Sequence, residues 1–392
     1  MQKSRLFLPS ISDIIFLTIF MSSSFLFGQA YLRDADTGYH IRAGEIMLTN
    51  FSILRHDPFS WITPALAWQP HEWLSEVLIA GIYRFTGLAG TVVFFALLVS
   101  LTYVLLFKIL KRECQILFAV AIWLLVIVSS QFRWLVRPHI FSLLFAVIWY
   151  FILESYVRGR KNYLLLLPLT MLFWVNLHGG FIIGFVLCGI YWIVNMAEYC
   201  LSDDPEKGDR KRKLLLLSVV LLASLICALA NPRGIGGICY PFAVMNENFQ
   251  LDCIGEFQSP NFHEPHFFQF LLYAILVVFA ISKKKPTMTE VILLITFIHM
   301  ALYSVRNVAL FAVITAPILA RNIPSMRAAP CARWIEFLKQ KAVGIAAIDQ
   351  EIKGGWWPLI GIFIVIFCLS FGKMHYQFPE TQVPLKALKF IE

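Results

Sequence analysis

The sequence predicts an all-α integral membrane protein of about eleven transmembrane helices, with its N-terminus inside and a long first extracytoplasmic loop carrying interfacial helices. Three observations carry that prediction. The 392 residues are 59% hydrophobic and only 15% charged, whereas soluble domains are about half apolar and about a quarter charged. Apolar runs of membrane-spanning length recur near 11–31, 89–108, 115–135, 140–157, 163–178, 180–199, 214–231, 267–282, 289–305, 307–324 and 355–372. The charges alternate with those runs. Placing the N-terminus inside puts 22 of the 33 Lys and Arg residues in internal loops, and every internal loop is then basic, as the positive-inside rule requires.

The run at 11–31 follows Met1-Gln2-Lys3-Ser4-Arg5 without a cleavage pattern and reads as a retained signal anchor. The interval 32–88 is extracytoplasmic, too long for a turn and too apolar for a solvated loop. Within it, 41–49 reads as a short amphipathic helix, and Pro58, Pro64 and Pro70 then break the chain. The stretch 71–86, ending at Gly87, is amphipathic too. Reading it as a span would invert every later loop and move the basic clusters outside, so it is expected to lie in the interface.

The next six runs are separated by short connections, with Lys108, Lys111 and Arg112, then Arg158, Arg160 and Lys161, then Lys207 to Lys213 on the inner side. A second large outer loop covers 232–266. Lys283 to Lys285 and the stretch from Arg321 to Lys353 are internal. The last run completes a membrane domain over 1–373. Residues 374–392 form an extracytoplasmic tail, expected as the opening of a missing or truncated outer domain.

The net charge of +9 is thereby explained by topology rather than by a nucleic-acid partner. Most of the eight cysteines lie in apolar runs and form no CxxC pair, which argues against a metal framework. Cys239 and Cys253 share the second outer loop, either bridged or as free thiols. There is no internal repeat and no GxxxxGK[ST] or GxGxxG pattern, which argues against a nucleotide-driven pump.

Histidines concentrate on the outer side: His40, His56, His71, His139, His178, His263, His266 and His375, with His299 in the outer half of its run. Asp34 and Asp36 follow the first run directly. A carboxylate at a membrane edge is costly without a role or partner, so the pair reads either as a base or cation ligand or as a polar helix cap. His56-Asp57 and His71-Glu72 add acid–imidazole pairs in the same loop. Arg137-Pro138-His139, Asn176-Leu177-His178, Asn231-Pro232-Arg233 and Arg306-Asn307 end later runs outside, and Glu256 to His263 adds a polar, aromatic stretch. Together these residues predict an outward-facing polar cavity suited to phosphate, which guanidinium groups hold bidentately.

Asp34-Ala35-Asp36 after the first run, Pro70-His71-Glu72 in a long first loop, the amphipathic 73–86 segment closing on Phe85-Thr86-Gly87, and Arg137-Pro138-His139 resemble the GT-C superfamily of membrane glycosyltransferases. Protein O-mannosyltransferases and lipid A aminoarabinose transferases belong to it. The finer pattern, with Asp-x-Asp-Thr-Gly-Tyr-His, His-Asp-Pro-Phe-Ser and His-Glu-Trp, looks like a bacterial subgroup.

The resemblance implies transfer of a sugar from a polyprenyl-phosphate-linked donor to a lipid, glycan or protein acceptor at the outer face of a bacterial inner membrane. It makes Asp36 or Asp34 the catalytic base. Glu72, with His71, His40 and Asp57, would position the acceptor or the loop. Arg137, His139, Arg233 and Arg306 would bind the donor phosphate, and His178, Asn176 and Glu256 would line the cavity. No cofactor is required; a divalent metal is optional, with Asp34, Asp36 and Glu72 as its ligands. The competing expectations are a transporter or flippase of a lipid-linked or anionic substrate, and a non-catalytic protein keeping the fold. A transporter should show ionisable groups near the bilayer midplane and broken helices in matched halves.

Overall fold

The computed structural model describes residues 7–62, 64, 66–68, 70–201, 207–246, 248–264, 267–323, 332–352 and 354–380. Lys3, Arg5, His266 and the tail beyond residue 380 lie outside the described residues. Among those described, the chain is helical, with a single antiparallel bridge between His56 and Ala67.

Helix α1 (Ile11–Met21) starts on a reciprocal capping box between Ser10 and Asp13, which satisfies two backbone donors at once. The Asp13 carboxylate also accepts the Gly355 N–H at 3.0 Å, joining the start of α1 to the start of the last helix, α15 (Trp356–Ser370). Past Met21 the helix loosens into a π-turn over Ser22–Leu26 and a 3-10 turn over Gly28–Leu32, which deliver the chain to Asp34.

Helix α2 (Asp36–Asn50) is longer than the expected 41–49, because it begins at the acidic motif itself. Asp34 Oδ1 accepts the Asp36 N–H at 2.9 Å, and two carboxylates at a helix N-terminus suit its dipole. Helix α3 (Trp73–Glu113) joins the expected interfacial segment and the second span, bent at Gly87, where φ is +65° and ψ −163°. A residue with a Cβ adopts such a backbone only with strain. Helices α2 and α3 touch at Gly44, where an added Cβ would lie 2.0 Å from the Glu76 carbonyl oxygen.

The remaining helices are α4 (Ile116–Ser130), α5 (His139–Val157), α6 (Leu166–Leu177), α7 (Ile182–Leu201), α8 (Lys207–Ala228), α9 (Ile235–Met245), α10 (Asn248–Cys253), α11 (Phe267–Ile281), α12 (Met288–Tyr303), α13 (Val308–Asn322) and α14 (Ala332–Glu351). All eleven expected runs are helical. Among the described residues, four helices, Trp73–Glu113, Ile116–Arg133, His139–Val157 and Gly179–Leu201, are by themselves long and apolar enough to cross a membrane, and a fifth if the bent α14–α15 pair counts as one. Helix α13 is apolar on every face and buried almost throughout, as a helix at the centre of a bundle must be; it packs on α3, α4, α5, α11 and α12. Among the described residues, three helices fall where loops were expected: α9 and the short α10 in the second large loop, and α14 in the stretch from Arg321 to Lys353.

At one end of this bundle the helix termini are tied by charge. Arg321 reaches Glu113 at 3.1 Å, Glu154 at 2.7 Å and Glu290 at 2.5 Å. Arg160 pairs with Glu113 at 2.9 Å, and Arg158 pairs with Glu154 and, at 3.7 Å, with Glu290. Three arginines and three glutamates from α3, α5, α12 and α13 thus balance within the protein. Glu154 lies fifteen residues along α5 from His139, roughly 22 Å by helix rise, so the functional groups gathered at His139 occupy the opposite end.

Candidate active site

At that opposite end lies a cavity of about 600 Å³. Its polar lining includes Tyr39, His40, His71, Glu72, Arg133, Arg137, His139, His178 and Arg306. Its apolar lining includes Ile182, Val244, Met245, Met300 and Leu310. The mixed lining suits a ligand with one charged and one hydrocarbon part.

Each element places its contribution by local rules. Arg133 and Arg137 sit in the tight connection between α4 and α5, where Trp134 and Pro138 interrupt the helix. Glu72 is the residue immediately before α3, and Arg306 lies in a 3-10 turn between α12 and α13. The segment around Glu256 docks beside Arg306: Ser304 Oγ donates to the Glu256 carbonyl at 2.8 Å, and the Val305 N–H to the Gln258 carbonyl at 2.9 Å. Phe257 is thereby held under the Arg306 guanidinium, 4.6 Å from ring centroid to carbon, a cation–π distance. Helix α9 covers part of the cavity with Tyr240, Pro241, Val244 and Met245.

The aspartates do not line this cavity. Asp34 Oδ2 meets Arg137 Nη1 at 2.8 Å, and Asp36 Oδ2 meets Arg137 Nη2 at 2.7 Å. Glu256 Oε1 shares Arg137 Nη1 at 2.8 Å and takes Arg133 Nη1 at 2.7 Å. The three carboxylates therefore form a clamp that fixes two arginines in the cavity wall. Burial alone would raise the Glu256 carboxyl, but Arg133 and Arg137 hold it below its usual range. Burial raises Asp36, with Arg137 acting against the shift. For Arg137, burial opposes the charge, and Glu256, Asp34 and Asp36 more than restore it.

A second cluster surrounds Glu72. Its Oε1 lies 3.4 Å from His178 Nε2 and 3.7 Å from His71 Nε2, and its Oε2 lies 3.9 Å from His40 Nδ1. His40 Nδ1 is also 3.4 Å from Glu76 Oε1. Burial pushes the Glu72 carboxyl up, and it carries the Glu76 carboxyl to about 8 with help from the neighbouring Glu72 charge. Burial likewise disfavours the charged form of His40.

Arg306 differs from the other two arginines. Among the described residues no carboxylate lies within ion-pair distance of it, and burial, followed by the Arg133 charge, lowers its affinity for its proton.

Several expected placements are corrected. Asn176 does not line the cavity; its amide accepts from Trp73 Nε1 at 2.7 Å and donates to the Ala230 carbonyl at 2.8 Å, stitching α3, α6 and the end of α8. Glu256 acts on the cavity through Arg133 and Arg137 rather than lining it. Arg233 faces a small adjoining recess with His71 and Tyr240. Asp57 accepts the Phe59 N–H at 2.8 Å in the outer loop, away from the cavity. Arg133 was missed by sequence reasoning, although it stands four residues before Arg137 in the same outer connection. Cys239 and Cys253 stand as free, exposed thiols.

The residues do not converge as metal ligands. Asp34 and Asp36 turn to Arg137, whereas Glu72 turns to histidines, and among the described residues no three His, Cys, Asp or Glu side chains are grouped to hold an ion.

No protein-family model matches the chain, and no curated protein matches it. Solved structures do. Two structures of an oligosaccharyltransferase from Archaeoglobus fulgidus superpose with a TM-score of 0.53 at 14% identity, one in the apo form and one, named AglB, in complex with an inhibitory peptide and a dolichol-phosphate. In each case 93% of this chain is covered and 54% of the archaeal one, so the chain spans about half the length of these proteins. The chain shares the fold of these archaeal structures. That meets the expectation drawn from the acidic motif and the long first loop. At this identity the likeness concerns the fold, and the activity has to be argued from the cavity.

Proposed function

We propose that this protein is a membrane glycosyltransferase that moves a sugar from a polyprenyl-phosphate-linked donor to an acceptor hydroxyl at the extracytoplasmic face. The observation that supports it best is Arg306, a half-buried cation on the cavity wall with no carboxylate in ion-pair range among the described residues. A partly desolvated charge left uncompensated is costly, and a phosphate entering beside it supplies the missing partner. The apolar lining from α7, α9, α12 and α13 then takes the hydrocarbon next to that phosphate.

The chemistry follows. The acceptor oxygen attacks the anomeric carbon as the bond from that carbon to the phosphate oxygen breaks. The electron pair leaves with the phosphate. Arg306, with Arg133 and Arg137 held in place by Asp34, Asp36 and Glu256, stabilises the growing charge. A carboxylate removes the hydroxyl proton. The topology that accompanies this reading has eleven spans, an internal N-terminus and the cavity outside, in a bacterial inner membrane. The acceptor is a lipid, glycan or protein.

The transporter reading is weakened by the far end of the bundle. Alternating access would have to part α3, α5, α12 and α13 where Arg321 ties them, leaving buried charges unpaired. The test is transfer by the purified protein in lipid nanodiscs, offered a panel of radiolabelled polyprenyl-phosphate sugars with lipid, glycan and peptide acceptors. Labelled product from at least one donor is expected. Absence of both product and polyprenyl-phosphate binding across the panel refutes the reading, and uptake into proteoliposomes without product favours a transporter.

A further inference from the structure

Building on the proposed transfer reaction, we infer that Glu72, oriented by His178, is the group that takes the proton from the acceptor hydroxyl. Asp34 and Asp36 then serve as positioning residues for Arg137.

The first argument is access. Among the described residues lining the cavity, Glu72 is the sole carboxylate. Asp34 and Asp36 each commit an oxygen to Arg137 at 2.8 and 2.7 Å. An oxygen held by a guanidinium is not free to take a proton, and a carboxylate outside the cavity wall has no acceptor to act on.

The second argument is the tautomer of His178. The backbone N–H of Gly180 donates to His178 Nδ1 at 2.9 Å. A backbone N–H cannot accept, so Nδ1 carries the lone pair and the ring proton sits on Nε2. Ser142 Oγ, which itself accepts from Trp174 Nε1 at 2.7 Å, also lies 2.7 Å from Nδ1 and fixes the ring. The ring nitrogen that carries the proton is the one beside Glu72, with Nε2 3.4 Å from Oε1, so a small side-chain movement would align the two as a hydrogen bond. The pair repeats the logic of an oriented base: a nitrogen whose proton is placed by a second contact holds the acting group in one geometry and stabilises its anionic form. Glu72 also begins α3, whose N-terminal dipole favours negative charge.

The third argument is a route for the proton. His71 Nε2 lies 3.7 Å from the same Glu72 oxygen, and the His71 side chain is 30% exposed. The acceptor proton passes to Glu72 as the new oxygen–carbon bond forms and the sugar–phosphate bond breaks. It then leaves by His71 to water, while the departing phosphate keeps the bonding pair beside Arg306. Burial, which raises the Glu72 carboxyl, makes it a stronger base than an ordinary glutamate. The charged and titratable groups around it are His40, His71, His178 and Glu76, with Arg137, Arg306 and Asp36 acting at longer range.

The experiment uses the full chain in nanodiscs with whichever labelled polyprenyl-phosphate sugar is turned over. Glu72→Gln is expected to lower kcat by about 10²- to 10⁴-fold while binding labelled polyprenyl phosphate within about twofold of the wild type, which shows that it folds. Glu72→Asp keeps part of the rate. His178→Phe moves the acid limb of the kcat/KM profile to higher pH, because the lost N–H no longer stabilises the anion; His178→Gln, which keeps a donor, moves it less. Asp36→Asn raises the donor KM more than it lowers kcat. A Glu72→Gln variant with near-normal kcat, or an Asp36→Asn variant that loses kcat at unchanged KM, overturns this inference and leaves the transferase reading standing. A wild type inert toward every donor overturns both.

Discussion

Replacing Arg306 by Met separates a binding arginine from a structural one, because the two roles predict opposite signs for stability. The side chain is half-buried, with Phe257 as its aromatic partner and no carboxylate within ion-pair range among the described residues. The cation–π contact returns about 0.5 to 2 kcal/mol, against a desolvation penalty that reaches several kcal/mol, roughly, for a fully buried unpaired ion and is a part of that here. Met keeps most of the hydrocarbon stem and removes the charge. The variant is therefore expected to melt at the same temperature as the wild type or a few degrees higher in detergent. Its affinity for a phosphate-bearing lipid should fall by what a charge-assisted hydrogen bond is worth, about 1.5 to 3 kcal/mol, or about 10- to 150-fold. Arg306→Lys, which keeps the charge without the bidentate fork, should lie between. The assay is thermal unfolding with and without titrated polyprenyl phosphate, where binding appears as a concentration-dependent rise in melting temperature. A variant that is less stable and yet gains as much from the lipid as the wild type refutes the assignment of Arg306 to the donor phosphate.

Other outcomes follow from the packing. Gly44→Ala places a methyl 2.0 Å from the Glu76 carbonyl oxygen and 2.6 Å from Ala80 Cβ, so α2 must back away from α3; a loss of about 1–3 kcal/mol is expected by thermal unfolding, with reduced transfer because Asp36 moves with α2. Arg321→Ala leaves Glu113, Glu154 and Glu290 facing one another and should cost about 3–5 kcal/mol, read as a large drop in melting temperature with lipid binding at the distant cavity unchanged at low temperature. For Glu76, the folded-state value of about 8 stands above the ordinary 4.5. The unfolded chain thus releases its proton first, and stability should fall as pH rises from about 4.5 through about 8. Glu76→Gln removes that fall, so its melting temperature relative to wild type should improve more at pH 8 than at pH 5.

The helical framework was legible because membrane burial acts on every residue of a segment at once. Runs such as 140–157 and 180–199 announce themselves by composition, and the break at Gly87 could be inferred from the charge map. The length of α2 was not legible: Asp36-Thr37-Gly38-Tyr39 reads as a loop until Asp34 is seen accepting the Asp36 N–H. Helix α9 was missed because its eleven residues are too short for a span and Gly236, Gly237 and Pro241 interrupt its helical pattern.

The candidate site divides in the same way. Glu72, Arg137, His139, His178 and Arg306 were found as polar groups at outer helix ends, since polarity beside hydrocarbon is visible in one dimension. Asn176 shared that signature and proved to be a stitch between helices, a distinction that depends on where Trp73 and Ala230 lie. Arg321 was taken as one more basic residue of an inner loop, and its three glutamate partners come from three other helices.

By itself, then, the sequence determined the class of protein, the runs that become helices and the end of the bundle where chemistry collects, because hydropathy, charge asymmetry and helix punctuation are local properties. Only the tertiary structure decided that Asp34 and Asp36, themselves outside the cavity wall, hold Arg137 within it, that Glu72 faces the cavity beside His178, and that Arg306 has no carboxylate in ion-pair range among the described residues. Those outcomes depend on pairings between residues about a hundred or more positions apart, such as Asp34 with Arg137 and Arg137 with Glu256. Coulombic contact acts over a few ångströms of space, and sequence separation says nothing about it until the helices have packed.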